Sequence, residues 1–261
     1  MMRLMVILAV PAALLHSLPA RAQGGPPFFT TDPGTPGNGH WELNVGAMAT
    51  RASATAYELP ELDVNYGLGE RIQLSAQIPY VVQNGAGTAQ QQGWGNALLG
   101  AKWRFLDQGE DGWQAATFPQ LETSGSALAR RNGFAVEGPR LLLPLELARH
   151  LGPLDVNFEA GHYLPRNGPH ETFVGVAVGG VLLSRLEIGG ELYADKASGE
   201  PPDETLLDAG FRYHLQPAFI LMGMAGRSIS GGAGPHTQFT AYLGLQILLS
   251  DYGRRLRQAS D

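Results

Sequence analysis

The chain contains no cysteine in its 261 residues. That excludes disulfides, thiolate metal sites, thiol catalysis and a lipid-modified cysteine behind a signal sequence. Lysine is almost absent too, with only Lys102 and Lys196, and the formal charge is −6 with no basic patch. A nucleic-acid partner is therefore not expected. Past the N-terminus there is no long apolar run. The longest, Val174 to Leu183, is broken by Gly175, Gly179 and Gly180, whereas a spanning helix needs ~20 apolar residues. No long segment repeats its apolar residues at the helical period of 3.6.

What the chain does have begins with an export signal. Arg3 precedes an apolar stretch from Leu4 to Leu15, and Ala20-Arg21-Ala22 forms an A-x-A cleavage site, so residues 1–22 read as a signal peptide and the mature chain starts near Gln23. Residues 23–39 hold Pro26, Pro27, Pro33 and Pro36 among several glycines, a composition for a loop rather than a strand. They are expected to form either a periplasmic lead segment folded under or into the periplasmic mouth of the strand-rich remainder, with Phe28 and Phe29 as anchors, or a flexible periplasmic leader.

From His40 the sequence resolves into twelve short segments of period two. The first sets Trp41, Leu43, Val45, Ala47 and Ala49 against His40, Glu42, Asn44 and Gly46. The third sets Ile72, Leu74, Ala76, Ile78 and Tyr80 against Arg71, Gln73, Ser75 and Gln77. The sixth alternates Leu141, Leu143, Leu145 and Leu147 with Arg140, Leu142, Pro144 and Glu146. The fifth (Trp113 to Glu122), the eighth (Thr172 to Leu183) and the eleventh (Ala218 to Arg227) carry apolar residues on both faces or alternate too loosely to assign. Gaps between segments alternate between long, such as Thr123 to Gly138, and short, such as Leu151-Gly152-Pro153.

An even strand count with short turns at one end and long loops at the other is the pattern of an outer-membrane barrel. A soluble sandwich also alternates. Here, however, Trp41, Tyr66, Tyr80, Trp103, Phe105 and Tyr213 cluster towards strand ends, as an interfacial girdle requires. The expected fold is all-β: a twelve-stranded antiparallel transmembrane β-barrel over residues 40–250, with a polar tail over 251–261. Outer-membrane lipid is its expected surroundings. Oligomeric state is not readable.

The inward face would carry Glu42, Glu61, Asp63, Arg71, Lys102, Arg104, Arg140, Glu146, Asp155, Glu159, Arg185, Glu187, Glu191, Asp208 and Arg212. An Arg or Lys facing midplane lipid costs ~2–4 kcal/mol, so these groups must line a wet or mutually paired interior. Asp155, Glu159, Glu187 and Glu191 could gather into a carboxylate cluster, which interleaved Arg and Lys would neutralise. His150, His162, His170 and His236 fall in or near turns without metal-ligand spacing. A lipid-facing hydrolase would need His and Ser near the outer rim, and the only adjacent pair is His16-Ser17 in the signal peptide. No catalytic residue, metal or cofactor is expected.

The stretch from Pro27, PFFTTDPGTPGNGHWELNV, resembles the opening of the outer-membrane family named for the meta-pathway of phenol degradation. Tyr66-Gly67 with the following Gln73-Leu74, Leu99-Gly100-Ala101-Lys102, and Pro119-Gln120-Leu121-Glu122 are similar to later pieces of that family. The resemblance implies a barrel, transfers no catalytic residue, and implies a loose association with uptake of aromatic compounds. One departure is that the last strand ends near Leu249-Ser250 without a terminal aromatic residue. Passive passage of small solutes through a charge-lined lumen is the expected function. A structural or adhesive barrel with a lumen shut by salt bridges is the alternative.

Overall fold

The computed structural model describes residues 25–84, 90–109, 112–125, 130, 138–197, 204–231 and 236–249. The expected signal peptide (1–22) and polar tail (251–261), and most of the Thr123 to Gly138 loop, lie outside the described residues. Fourteen strand segments form one antiparallel sheet closed on itself. They are β1 (Trp41–Arg51), β2 (Thr55–Leu68), β3 (Ile72–Asn84), β4 (Gln91–Trp94), β5 (Leu98–Asp107), β6 (Trp113–Thr117) and β7 (Gln120–Glu122). The second half comprises β8 (Arg140–Leu151), β9 (Leu154–Pro165), β10 (Glu171–Leu183), β11 (Leu186–Ala197), β12 (Glu204–Gln216), β13 (Phe219–Gly231) and β14 (Phe239–Leu248).

Both β4 and β5 pair with β3, and both β6 and β7 lie between β5 and β8. Each couple is one interrupted stave, so the ring has twelve staves. The breaks fall at Gly95-Asn96-Ala97 and at Phe118-Pro119, where proline cannot donate to a ladder. The ring closes by pairing β1 with β14, from Glu42↔Leu248 to Arg51↔Phe239. No edge strand is left unpaired by this closure, which satisfies the backbone without water.

The two faces of the wall differ as period-two strands require. Leu99, Leu143, Leu145, Leu192, Leu207 and Leu243 point outward and are exposed, while Lys102, Glu146, Glu191 and Asp208 on the same staves are buried. Exposed Trp41, Trp103, Phe105, Trp113 and Tyr213 ring the short-turn end, and Tyr57, Trp94 and Phe239 ring the long-loop end. An apolar belt between two aromatic girdles is solvated by hydrocarbon. Leu145→Arg, beside the mid-height Glu146, should accordingly cost about 2–4 kcal/mol of folding free energy in phospholipid vesicles, measured by denaturant titration. A cost below ~0.5 kcal/mol, the range of ordinary surface substitutions, would place Leu145 outside the lipid.

Candidate functional site

The interior is not an open pipe. Residues 25–40 turn back from the start of β1 into the ring. At the short-turn rim, Gly39 N donates to Gly67 O (2.8 Å) and Gly67 N to His40 O (3.0 Å), while Thr35 Oγ1 donates to Glu70 O (2.9 Å). Gly67 is required there, because any Cβ would run into the backbone carbonyl of Gly37. The segment then crosses the bore at mid-height. Thr30 and Pro33 are fully buried, and Asp32 nearly so.

Its backbone amides end on wall carboxylates. Phe29 N and Thr30 N donate to the two oxygens of Glu191 at 3.0 and 2.5 Å. Thr31 N donates to Glu159 at 2.7 Å, and Thr31 Oγ1 donates to Glu146 at 2.5 Å. The other wall residues grip its carbonyls: Lys102 Nζ donates to Asp32 O, and Arg212 to Pro26 O at 2.9 Å. The aromatic pair splits its work. The Phe28 ring rests against Gly189 and Gly210, and the Phe29 ring meets Tyr193 at 5.4 Å. Gly175 is where Thr30 approaches the wall, and a Cβ there would collide with Thr30 Oγ1.

This geometry places the sequence-derived charges unevenly. Lys102, Arg104, Glu146, Asp155, Glu159, Glu187, Glu191, Asp208 and Arg212 are buried inside the ring, and Glu42, Glu61, Asp63 and Arg140 are half-buried there. Arg71 and Arg185 are not in the interior. Both are exposed in short turns, because the strand period carries them past the end of the wall. The expected carboxylate cluster does not form either: β10 lies between Asp155 and Glu159 on β9 and Glu187 and Glu191 on β11. Glu159 and Glu191 are met by plug amides, Glu187 by His214 Nε2 at 2.6 Å and Asp155 by His150 Nδ1.

Three ion pairs do match the expected kind. Lys102 Nζ lies 3.1 Å from Glu146, and Arg140 lies 2.5 Å from Glu122 and 3.1 Å from Glu171. Asp208, opposite Glu191, has neither oxygen hydrogen-bonded among the described residues. His162 and His170 come together at the long-loop end, Nε2 to Nδ1 at 3.2 Å, with Thr172 Oγ1 2.8 Å from His162 Nδ1. Among the described residues no group of three or more His, Asp or Glu is arranged to hold a metal ion.

Alongside the plug lies a cavity of about 390 Å3, bounded by plug residues from Gly25 to Pro36 and reaching from Glu42 and Gln73 near the short-turn end to Glu58 and Phe173 near the long-loop end. Its aromatic side is built by Tyr163, Phe173 and Tyr193, with Phe173 and Tyr193 stacked at 5.4 Å. The alternation of the ninth segment allows Tyr193 on the inward face, but Tyr163, Phe173, Glu58 and Glu122 were not sequence candidates. Phe173 and Glu122 sit on staves whose facing the sequence leaves open. Glu58 lies beyond a bulge between Glu58 and Glu61, which breaks the alternation that could have revealed it.

With this geometry in view, solved structures supply a comparison. The COG4313 outer membrane channel from Pseudomonas putida F1 superposes with a TM-score of 0.67 at 13% identity, covering 86% of this chain and 99% of that one. The NanC porin gives 0.56 at 12% identity over 78% and 98%, and the KdgM porin 0.55 at 12% over 78% and 98%. The fold is thus the one found in outer-membrane channels. No protein-family model matches the chain, and no curated protein matches it by sequence.

Proposed function

We propose that the chain is an outer-membrane channel for passive passage of small solutes, closed in its resting state by residues 25–38 and opened when they shift. The observation that carries this reading is the plug itself. It is held by hydrogen bonds to Glu146, Glu159, Glu191, Lys102 and Arg212 rather than continuous with the wall, and a cavity of about 390 Å3 is left beside it. The likeness to channel and porin folds supports the same reading. The aromatic side of that cavity, together with the resemblance of residues 27–45 to the phenol meta-pathway family, favours solutes with apolar or aromatic bodies. Outer-membrane residence follows from the lipid-facing belt and from the fold.

A sealed structural barrel is the second reading, favoured by the Lys102–Glu146 and Arg140–Glu122 pairs. Planar-bilayer recording separates the two. Glu159→Gln with Glu191→Gln weakens the charge-assisted bonds to Phe29, Thr30 and Thr31. A loss of about 1–2 kcal/mol of plug retention corresponds to a roughly five- to thirty-fold rise in open probability. No openings in either protein over a wide voltage range would favour the sealed barrel.

A further inference from the structure

We propose that the cavity beside the plug is a binding site for a protonated organic amine, an ammonium group carrying an aromatic or aliphatic body. This rests on the channel reading and names the class of solute the channel admits. The cavity has two chemically opposite walls. Glu42, Glu58, Glu61 and Asp63 of β1 and β2 line one, and the aromatic side chains of β9 to β11 line the other. Among the described residues no ion pair reaches Glu58, Glu61 or Asp63. Their hydrogen-bond donors are neutral amides: Asn44 to Glu42 (3.1 Å) and Asp63 (2.9 Å), Asn65 to Asp63 (2.9 Å), and Gln77 to Glu61.

Glu58 has no donor among the described residues, and Glu61 Oε2 is buried without a partner. Lys102 also lines the cavity, but it and the other nearby cation are already engaged. Lys102 holds Glu146 and Asp32 O, and Arg212 donates to Gln246 Oε1 (2.6 Å) and Pro26 O.

Tyr242 marks the same place independently. Its side chain is only 6% exposed, and its ring lies against Gly46 and Gly244. Gly46 pairs with Glu61 across β1 and β2, so the ring carries its hydroxyl towards the acidic wall. Tyr242 lines the cavity, and its hydroxyl, which forms no hydrogen bond among the described residues, is not sealed away from that space. An ammonium held by the neighbouring carboxylates would bring a polar group beside it.

An inorganic cation would meet the acids but leave the aromatic wall unused. A neutral aromatic would do the reverse, leaving acid groups desolvated without a counter-charge. An ammonium head with an apolar body satisfies both walls, by charge on one side and by attraction to ring faces on the other. A cavity of this size lies within the ~300–1,000 Å3 of small-ligand sites.

The test is calorimetric titration of the full-length protein in detergent with phenethylammonium, 2-phenylethanol, 3-phenylpropionate and methylammonium. Phenethylammonium is expected to bind at least about tenfold more tightly than any of the other three. In the variant E58Q/E61Q/D63N that preference should vanish while 2-phenylethanol binds as before. Equal binding of phenethylammonium and 2-phenylethanol overturns the proposal, as does a preference that survives the triple substitution. Methylammonium binding as tightly as phenethylammonium would mean a site for small cations only, and overturns it too. The four-ligand comparison on the unaltered protein decides the matter even if the triple variant fails to assemble. Conductance without amine preference would remove the site and leave the channel; amine preference without any flux would remove the channel and leave the site.

Discussion

Deletion of residues 25–38 is expected to convert a rarely conducting protein into one with a steady, several-fold larger single-channel conductance. The barrier in the resting structure is peptide, not wall. Thr30, Asp32 and Pro33 are buried inside the ring, and the wall groups that hold them, Glu191 and Lys102, belong to strands that stay in place. The barrel should survive the deletion, because the lipid-facing belt and the β1–β14 seam do not involve the segment. Two measurements check this together: planar-bilayer conductance, and heat-modifiable migration on a gel as the sign of an intact barrel. An intact barrel with unchanged conductance would show that the wall, not the plug, sets the resistance.

Substitution of Lys102 by methionine is the second large effect, and it acts on stability. Lys102 is 5% exposed and Glu146 is fully buried, and the ammonium bridges Glu146 and the carbonyl of Asp32. Removing it leaves a carboxylate without its counter-charge inside the ring and frees one end of the plug. Breaking a buried pair by deleting one partner typically costs about 3–5 kcal/mol. Denaturant unfolding from vesicles should report a loss of that size. The double substitution Lys102→Met with Glu146→Leu should recover much of it, since no orphaned charge remains. A loss under ~1 kcal/mol, the range of solvent-exposed pairs, would mean that water already screens the pair.

Much of the barrel was legible from residue order because lipid imposes one simple rule on one face. Leu141, Leu143 and Leu145 alternate with Leu142, Pro144 and Glu146, and the wall puts the first set outward and the second inward. The rule fails where the inner face has a second apolar partner. On β10 the inward Phe173, Gly175 and Ala177 pack towards the plug and its neighbouring aromatic residues, so both faces read as apolar. On β13 Ile220, Met222 and Met224 are buried with Tyr242 against Phe28 and Phe29. On the stave formed by β6 and β7, Ala115 and Ala116 are both buried and Phe118-Pro119 interrupts the ladder.

Where the plug supplies the second apolar partner, the deciding contact lies far away in sequence, and no local period can register it. Charge was legible as a class and not as a set of pairs. Glu159 and Glu191 needed partners, but their partners are backbone amides of the lead segment, which carry no sequence signature.

The attachment of the closing segment at Gly39 and Gly67 has a kinetic consequence. Once displaced, residues 25–38 remain leashed to the rim by the few residues before β1, so return is unimolecular. A short flexible leash corresponds to an effective concentration on the order of millimolar. A free synthetic copy of the same stretch would have to reach about that concentration before it could compete for the vacant berth. On the proposed channel reading, opening would amount to brief excursions of a captive stopper, with reclosure needing no diffusing factor.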